Sequence, residues 1–275
     1  MSAAGSNEAV LFVHSTGTGP FLWAGVPETA IGGRTRLLPA NLGYPPNELV
    51  ERGRTVTVAD DAAEVSKAVP ASASRVHVVA HSYGALVALD VLPALADRLA
   101  SVFFYEPVVF GALAIAEDAP AIDAEAIQQA RSFVEHPWFL HDVEKGGRAE
   151  WLEVFIDYWN RPGSWARMPE QMRELSLALG WKMFQEVRTI FFDPRPFSSF
   201  RIPAPTTIAV GERTRLASRA MSRALAHGRP DTRLVEVAGV GHMAPLTHAA
   251  KVHDELARHM AWVEAQYGSM GEGGG

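Results

Sequence analysis

The apolar positions along the chain follow two rhythms. Short runs rich in apolar residues lie at 9–13, 76–80, 101–105 and 206–210, and two more strand-length stretches at 34–39, with Leu37 and Leu38 inward, and 232–237. Runs of this length, bounded by Gly, Pro, Ser or Asn, read as buried strands. Between them the apolar residues recur at helical spacing. Val58, Ala62, Val65 and Val69 mark a helix over 57–69, ended by Pro70. Residues 85–92 and 217–226 mark two more. Val252, Leu256, Met260 and Val263 form one stripe on a closing helix over 247–264, with Thr247 as its N-cap. Strands alternating with helices predict a parallel sheet covered on both faces. From 110 to 200 the strand rhythm stops, and only helical stretches remain, at 122–135, 148–160 and 169–190, the last interrupted at Gly180. This division predicts a core domain of residues 1–109 and 201–267, an inserted helical lid of 110–200, and a flexible Gly-rich tail of 268–275. Trp138, Trp151, Trp159, Trp165 and Trp181 give the lid an apolar underside, although any one of them also reads as packing between lid helices.

Composition narrows the functional classes. A chain of 275 residues that is 48% hydrophobic has ample material for one large core. The net charge of −6 argues against a nucleic-acid partner. The absence of cysteine excludes disulfides, a thiol nucleophile and thiolate metal sites. Residues 1–8 have no basic leader character, and no apolar run approaches the length of a membrane span. The expectation is a cytoplasmic protein with no membrane partner; its oligomeric state stays open, a homodimer being one option.

The chemistry centres on residues 75–89, where an apolar strand turns at His81, Ser82, Tyr83 and Gly84 into an apolar helix. A serine on such a turn, with small residues two before and two after it (Ala80 and Gly84), reads as a nucleophile elbow. The competing reading is a serine that caps the following helix. A serine hydroxyl needs a base, and the base needs an orienting acid. Of ten histidines, His227, His248, His253 and His259 read as surface positions. His77 lies mid-strand, His81 points away from the serine, and His14 holds the first loop in shape. His242, on a glycine-flanked loop after the last strand, is the candidate base. The acid is harder to place, because Thr214 stands where an aspartate is usual, in the loop after the strand that follows the lid. Glu106 ends an otherwise apolar strand, where a histidine partner would relieve the cost of a buried charge. Glu212 is the alternative acid; Asp231, or a dyad without an acid, are further options. Backbone N–H groups of Thr16 and Tyr83 are the candidates for an oxyanion hole. The glycine-rich first loop lacks the spacing of a dinucleotide or P-loop phosphate site.

Four motifs together resemble the α/β-hydrolase superfamily in its lid-bearing, small bacterial, esterase-like serine hydrolase form. They are residues 13–17, the elbow 80–84, residues 105–107 and the loop 239–242. The resemblance implies an α/β fold with a mostly parallel central sheet flanked by helices and an inserted helical lid. It places the acid at Glu106, where certain haloalkane dehalogenases of the superfamily carry theirs; Ser82 in place of an aspartate nucleophile speaks against dehalogenase and epoxide hydrolase chemistry. The implied activity is hydrolysis of an ester or related acyl bond of a small, moderately apolar molecule, with no cofactor and no metal. The same triad could serve carbon–carbon bond hydrolysis, lactone or thioester hydrolysis, or perhydrolysis. The fold could also carry a lyase or synthase step, or a non-enzymatic ligand receptor.

Overall fold

The computed structural model describes residues 7–116 and 122–267; the glycine-rich tail lies outside them. Six strands, β1 (Glu8–Val13), β2 (Thr35–Leu37), β3 (Arg75–His81), β4 (Leu99–Tyr105), β5 (Thr206–Gly211) and β6 (Thr232–Val237), form one sheet in the order β2-β1-β3-β4-β5-β6. Every neighbouring pair is parallel. The helices of the sheet domain are α1 (Phe21–Ala24), α2 (Val58–Ser66) and α3 (Tyr83–Val91). Between β4 and β5 come α4 (Phe110–Ala114), α5 (Ala124–Val134), α6 (Ala149–Trp159), α7 (Ser164–Arg167) and α8 (Glu170–Phe192). After β5 the chain continues through α9 (Leu216–Ala226), α10 (Ala244–Thr247) and α11 (Ala249–Tyr267). Among the described residues, no helix is long and apolar enough to cross a membrane.

The period-two geometry of a strand divides the core into two layers. In β1, Ala9, Leu11 and Val13 face the layer formed with α2, α3, α9 and the inserted helices. Val10 and Phe12 face the layer closed by α11, where Val252, Leu256 and Met260 pack. In β4 the division repeats, Val102 and Phe104 on one side and Phe103 and Tyr105 on the other. With both faces covered, the central strands β1, β3, β4 and β5 are largely buried and mostly apolar.

Three details depart from the sequence reading. Helix α8 runs without a break through Gly180. Glycine is required there by a neighbour rather than by a bend, because a Cβ on Gly180 would collide with the carbonyl oxygen of Gly147. Thr247 ends α10 instead of capping the last helix, and its hydroxyl donates to the Met243 carbonyl at 3.0 Å. His253 and His259 are buried. His259 sits three residues after Leu256 and four before Val263, so the stripe that buries those two carries it inward as well.

The Gly147–Gly180 contact makes a prediction. Gly180→Ala improves helix propensity by roughly 1 kcal/mol, yet the added methyl forces two backbones apart, a kind of overpacking that costs about 1–3 kcal/mol. Chemical denaturation is expected to show a lower midpoint for the variant; a raised midpoint would mean that propensity dominates.

Candidate active site

The site is assembled at the carboxyl edge of the sheet, where β3, β4, β5 and β6 all end. Ser82, between β3 and α3, has φ 55° and ψ −124°. This strained conformation lifts its side chain off the sheet and brings strand and helix backbones together. A Cβ on Gly84 would lie 2.5 Å from the His14 carbonyl oxygen, so the second small residue of the motif is a steric necessity. Ala80 is sealed between its sheet neighbours Val13 and Phe104. The Ser82 side chain caps no helix; its Oγ lies 3.1 Å from His242 Nε2.

His242 is buried on the loop between β6 and α10, and its Nδ1 lies 2.8 Å from Glu106 Oε2. An anionic carboxylate at Nδ1 requires the proton there, which leaves the Nε2 lone pair facing the Ser82 hydroxyl. Glu106 is the residue after β4 and also has a positive φ, 44°. Its fully buried carboxylate accepts three hydrogen bonds. Gly211 N–H donates to Oε1 at 2.8 Å, while the Thr214 hydroxyl, at 2.5 Å, and His242 donate to Oε2. That shell removes the penalty of an unpaired buried charge. The other acid candidates lie elsewhere. Glu212 is exposed, its Oε2 accepting from Gly239 N–H at 2.6 Å. Asp231 precedes β6 at the opposite edge of the sheet, with its carbonyl accepting from Thr206 N–H.

Two residues that hold the His242 loop were not legible as such. His81 does point away from Ser82, but its Nε2–H donates to the His242 carbonyl at 2.9 Å. The Tyr105 hydroxyl donates to the Gly241 carbonyl, also at 2.9 Å. Burial and the nearby His242 push the His81 pKa well down, so this ring is neutral. Trp159, at the end of α6, stacks on His242 with ring centroids 3.8 Å apart.

The first loop is fixed by its own carbonyl. Ser15 O accepts from Thr18 N–H at 3.2 Å, from the Thr18 hydroxyl at 2.8 Å and from His14 Nδ1–H at 3.0 Å. His14 Nε2 in turn accepts from Asn41 N–H at 3.0 Å, which sets the tautomer. Burial lowers the His14 pKa to about 4. A planar trans peptide points its N–H opposite its C=O, so anchoring Ser15 O fixes the direction of Thr16 N–H. Tyr83 is the first residue of α3, where a backbone N–H has no partner within the helix.

Thr16 and Ser82 open on one cavity, walled by Val108, Phe110, Phe155, Tyr158, Trp159, Val187 and other apolar side chains from the inserted helices. It is a narrow slot of about 380 Å³, counting the part that opens to solvent. No lining residue is charged. The Tyr158 hydroxyl in its wall is buried and has no hydrogen-bond partner among the described residues.

A second Ser/His contact lies at the amino edge. Ser101 Oγ is 2.7 Å from His77 Nδ1 and 2.9 Å from His259 Nε2, and His259 Nδ1 meets the Thr207 hydroxyl at 2.9 Å. Ser101 and both histidines are sealed from solvent, which leaves this serine no route to a substrate carbonyl. Burial pushes the His259 pKa down to about 3. Among the described residues, no group of His, Asp or Glu is arranged to hold a metal ion.

Comparison with known proteins bears on the family and the fold. A family model described as alpha/beta hydrolase family matches residues 10–255. No curated protein sequence matches the chain. Among solved structures, a thermophilic esterase from Thermogutta terrifontis is 19% identical, covering 94% of this chain and 91% of its own, with a TM-score of 0.59. The 2-hydroxy-6-oxo-6-phenylhexa-2,4-dienoate hydrolase of Rhodococcus sp. strain RHA1 is 17% identical, covering 92% and 90%, with a TM-score of 0.62. A haloalkane dehalogenase from Agrobacterium tumefaciens C58 is 15% identical, covering 94% and 90%, with a TM-score of 0.64. At these identities the likeness is one of fold.

Proposed function

The chain belongs to the alpha/beta hydrolase family, a hydrolytic enzyme with a Ser/His arrangement at its sheet edge, and we propose that it cleaves the ester of a small, neutral, apolar acyl group. The observation that carries this reading is the hydrogen-bonded series Ser82–His242–Glu106 opening on an uncharged, aromatic-walled slot. Ser82 Oγ attacks the carbonyl carbon as its proton passes to His242 Nε2. The carbonyl electrons move onto oxygen, which the N–H groups of Thr16 and Tyr83 stabilise. The tetrahedral intermediate collapses, and the alcohol leaves with the proton from Nε2. Water then attacks the acyl-enzyme, His242 takes its proton, and the acid departs as Ser82 regains its hydrogen. Glu106 holds the imidazole in the required tautomer and stabilises its charge. The Tyr158 hydroxyl offers the acyl group one hydrogen bond in an otherwise apolar wall.

A second reading keeps the residues and changes the bond to a lactone, or to the carbon–carbon bond of a diketone. The aromatic walls favour it, since a slot bounded by rings such as the stacked Phe110–Phe191 pair, 4.3 Å apart, suits a flat conjugated group. The lack of a lining cation counts against a carboxylate on that group.

A fluorophosphonate probe is expected to label Ser82. In a panel of nitrophenyl esters, neutral lactones and phenyl diketones, apolar acyl esters are expected to exceed acyl groups bearing a carboxylate by roughly 100-fold in kcat/KM, about 2.7 kcal/mol at 25 °C. Preference for the charged acyl group, or turnover of diketones alone, would overturn the ester reading.

A further inference from the structure

The inserted helix α8 contributes more than a wall to the slot. One of its faces carries Lys182 and Glu186, both within 2% of complete burial, as are Asp61 and Tyr44 beneath them. Lys182 Nζ lies 2.6 Å from Asp61 Oδ2 and 2.7 Å from Glu186 Oε1. Asp61, in the first turn of α2, also accepts from the Tyr83 hydroxyl at 2.6 Å and from Leu42 N–H at 3.0 Å. Glu186 Oε2 accepts from the Tyr44 hydroxyl at 2.8 Å. The Tyr44 oxygen, in turn, accepts from Gly17 N–H at 2.9 Å.

The last bond connects the inserted helix to the first loop. Gly17 follows Thr16, and the three bonds to Ser15 O secure the loop only on the other side of Thr16. Gly17 has φ 71°, a region open to glycine that gives its flanking peptides wide freedom. The bonds to Ser15 O set the direction of the Thr16 N–H, and the Gly17 N–H bond to Tyr44 pins the peptide that follows; without that second anchor the Thr16–Gly17 peptide could rotate and let the loop shift Thr16 relative to Ser82. Met183, one turn before Glu186 on α8, packs on the same glycine, its Cε 2.8 Å from where a Cβ would stand. Burying two carboxylates and an ammonium costs more than a well-packed apolar replacement, which points to a role beyond stability. We propose that Tyr44 and Glu186 are positioning residues for the oxyanion hole: through them α8 fixes the loop whose Thr16 N–H meets the developing charge. The assignment rests on the hydrolase reading above. It also means that the helix supplying Val187, Ile190 and Phe191 to the slot sets the geometry of charge stabilisation, so acyl binding and oxyanion binding share one rigid element.

Tyr44→Phe removes the hydroxyl and keeps the ring. With an apolar nitrophenyl ester, its kcat is expected to fall about 10–100-fold, less than the 10²–10³-fold typical of deleting an oxyanion donor, with KM within twofold. The Kd of an alkylboronic acid, which forms a tetrahedral adduct on Ser82, is expected to rise by a similar factor. Binding of the primary amide of the same acyl group is expected to change less than twofold. Glu186→Gln retains an acceptor for Tyr44 and is expected to lose less kcat than Tyr44→Phe; it is the variant to read if Tyr44→Phe does not fold, with a threefold or greater loss in kcat and boronate affinity supporting the proposal. Unchanged kcat and boronate affinity beside a lowered Tm would make the network purely structural and overturn the proposal. Wild-type protein that takes up neither fluorophosphonate nor boronate would overturn the hydrolase reading and this one together.

Discussion

Ser82→Ala is expected to lower kcat by roughly 10⁴-fold or more, with far-ultraviolet circular dichroism and Tm close to those of the wild type. The loss is large because the hydroxyl is the only atom of the relay that bonds covalently to substrate in the proposed mechanism. A variant retaining more than about one hundredth of the activity would remove Ser82 from the mechanism, since such losses in measured triads are far larger. The two carboxylates near the loop of His242 provide the matching comparison. Glu106→Gln preserves shape but presents an amide to Nδ1. It can stabilise the wrong tautomer, as when the acid of a triad is neutralised, and a fall of about 10²–10⁴-fold is expected. Glu212→Gln touches an exposed carboxylate whose partner is the Gly239 backbone; its kcat/KM is expected to stay within twofold. Steady-state kinetics on one apolar ester decides between them, and the opposite order would reassign the acid.

The second large effect is on stability in acid. Burial lowers His14 from 6.5 to about 4 and His259 from 6.5 to about 3. His77 and His81 are lowered as well, again mainly by burial. In the unfolded chain these rings take up a proton as the pH falls below their ordinary value, whereas the folded protein keeps them neutral until the depressed pKa is reached. Their contribution is therefore fully present above pH 6.5 and is lost as pH falls toward 4 for His14 and 3 for His259. Each ring contributes a slope of about 1.4 kcal/mol per pH unit, so these two alone give about 2.7 kcal/mol per unit between roughly pH 6 and 4. Glu186 works in the opposite direction, because burial raises its pKa and protonation then favours the folded state. Against a typical stability of about 5–15 kcal/mol, the expected result is a steep loss of urea midpoint below pH 6. His259→Gln should flatten the slope by one proton. A midpoint constant from pH 7 to 4.5 would refute the account.

The fold was legible because its four central strands are buried on both faces. Runs such as 101–105 admit no solvent-facing polar residue, so their ends stand out, and both Glu106 and His242 could be located as strand-end polar residues. What escaped the sequence reading shares a different physics. Lys182 and Glu186 are four residues apart on a helix, the spacing of an ordinary solvated ion pair; their burial depends on Asp61 and Tyr44, more than a hundred residues earlier. Long-range contacts of that kind leave no local signature. Gly180 was read as a break because glycine disfavours helices, while the contact that demands it comes from Gly147. For His259 the signals conflict: its spacing to Leu256 and Val263 places it on the buried stripe, while charged neighbours such as Arg258 give the segment a surface character.

Thr214 stands where the resemblance leads one to expect an aspartate, and its hydroxyl donates to Glu106, the acid of the proposed mechanism. The loop after β5 and the end of β4 thus converge on one point beside His242 Nδ1. In the proposed mechanism the first segment supplies a hydrogen bond at that point and the second the negative charge. A single hydrogen bond therefore ties the loop that opens toward α9 to the strand end that orients the imidazole.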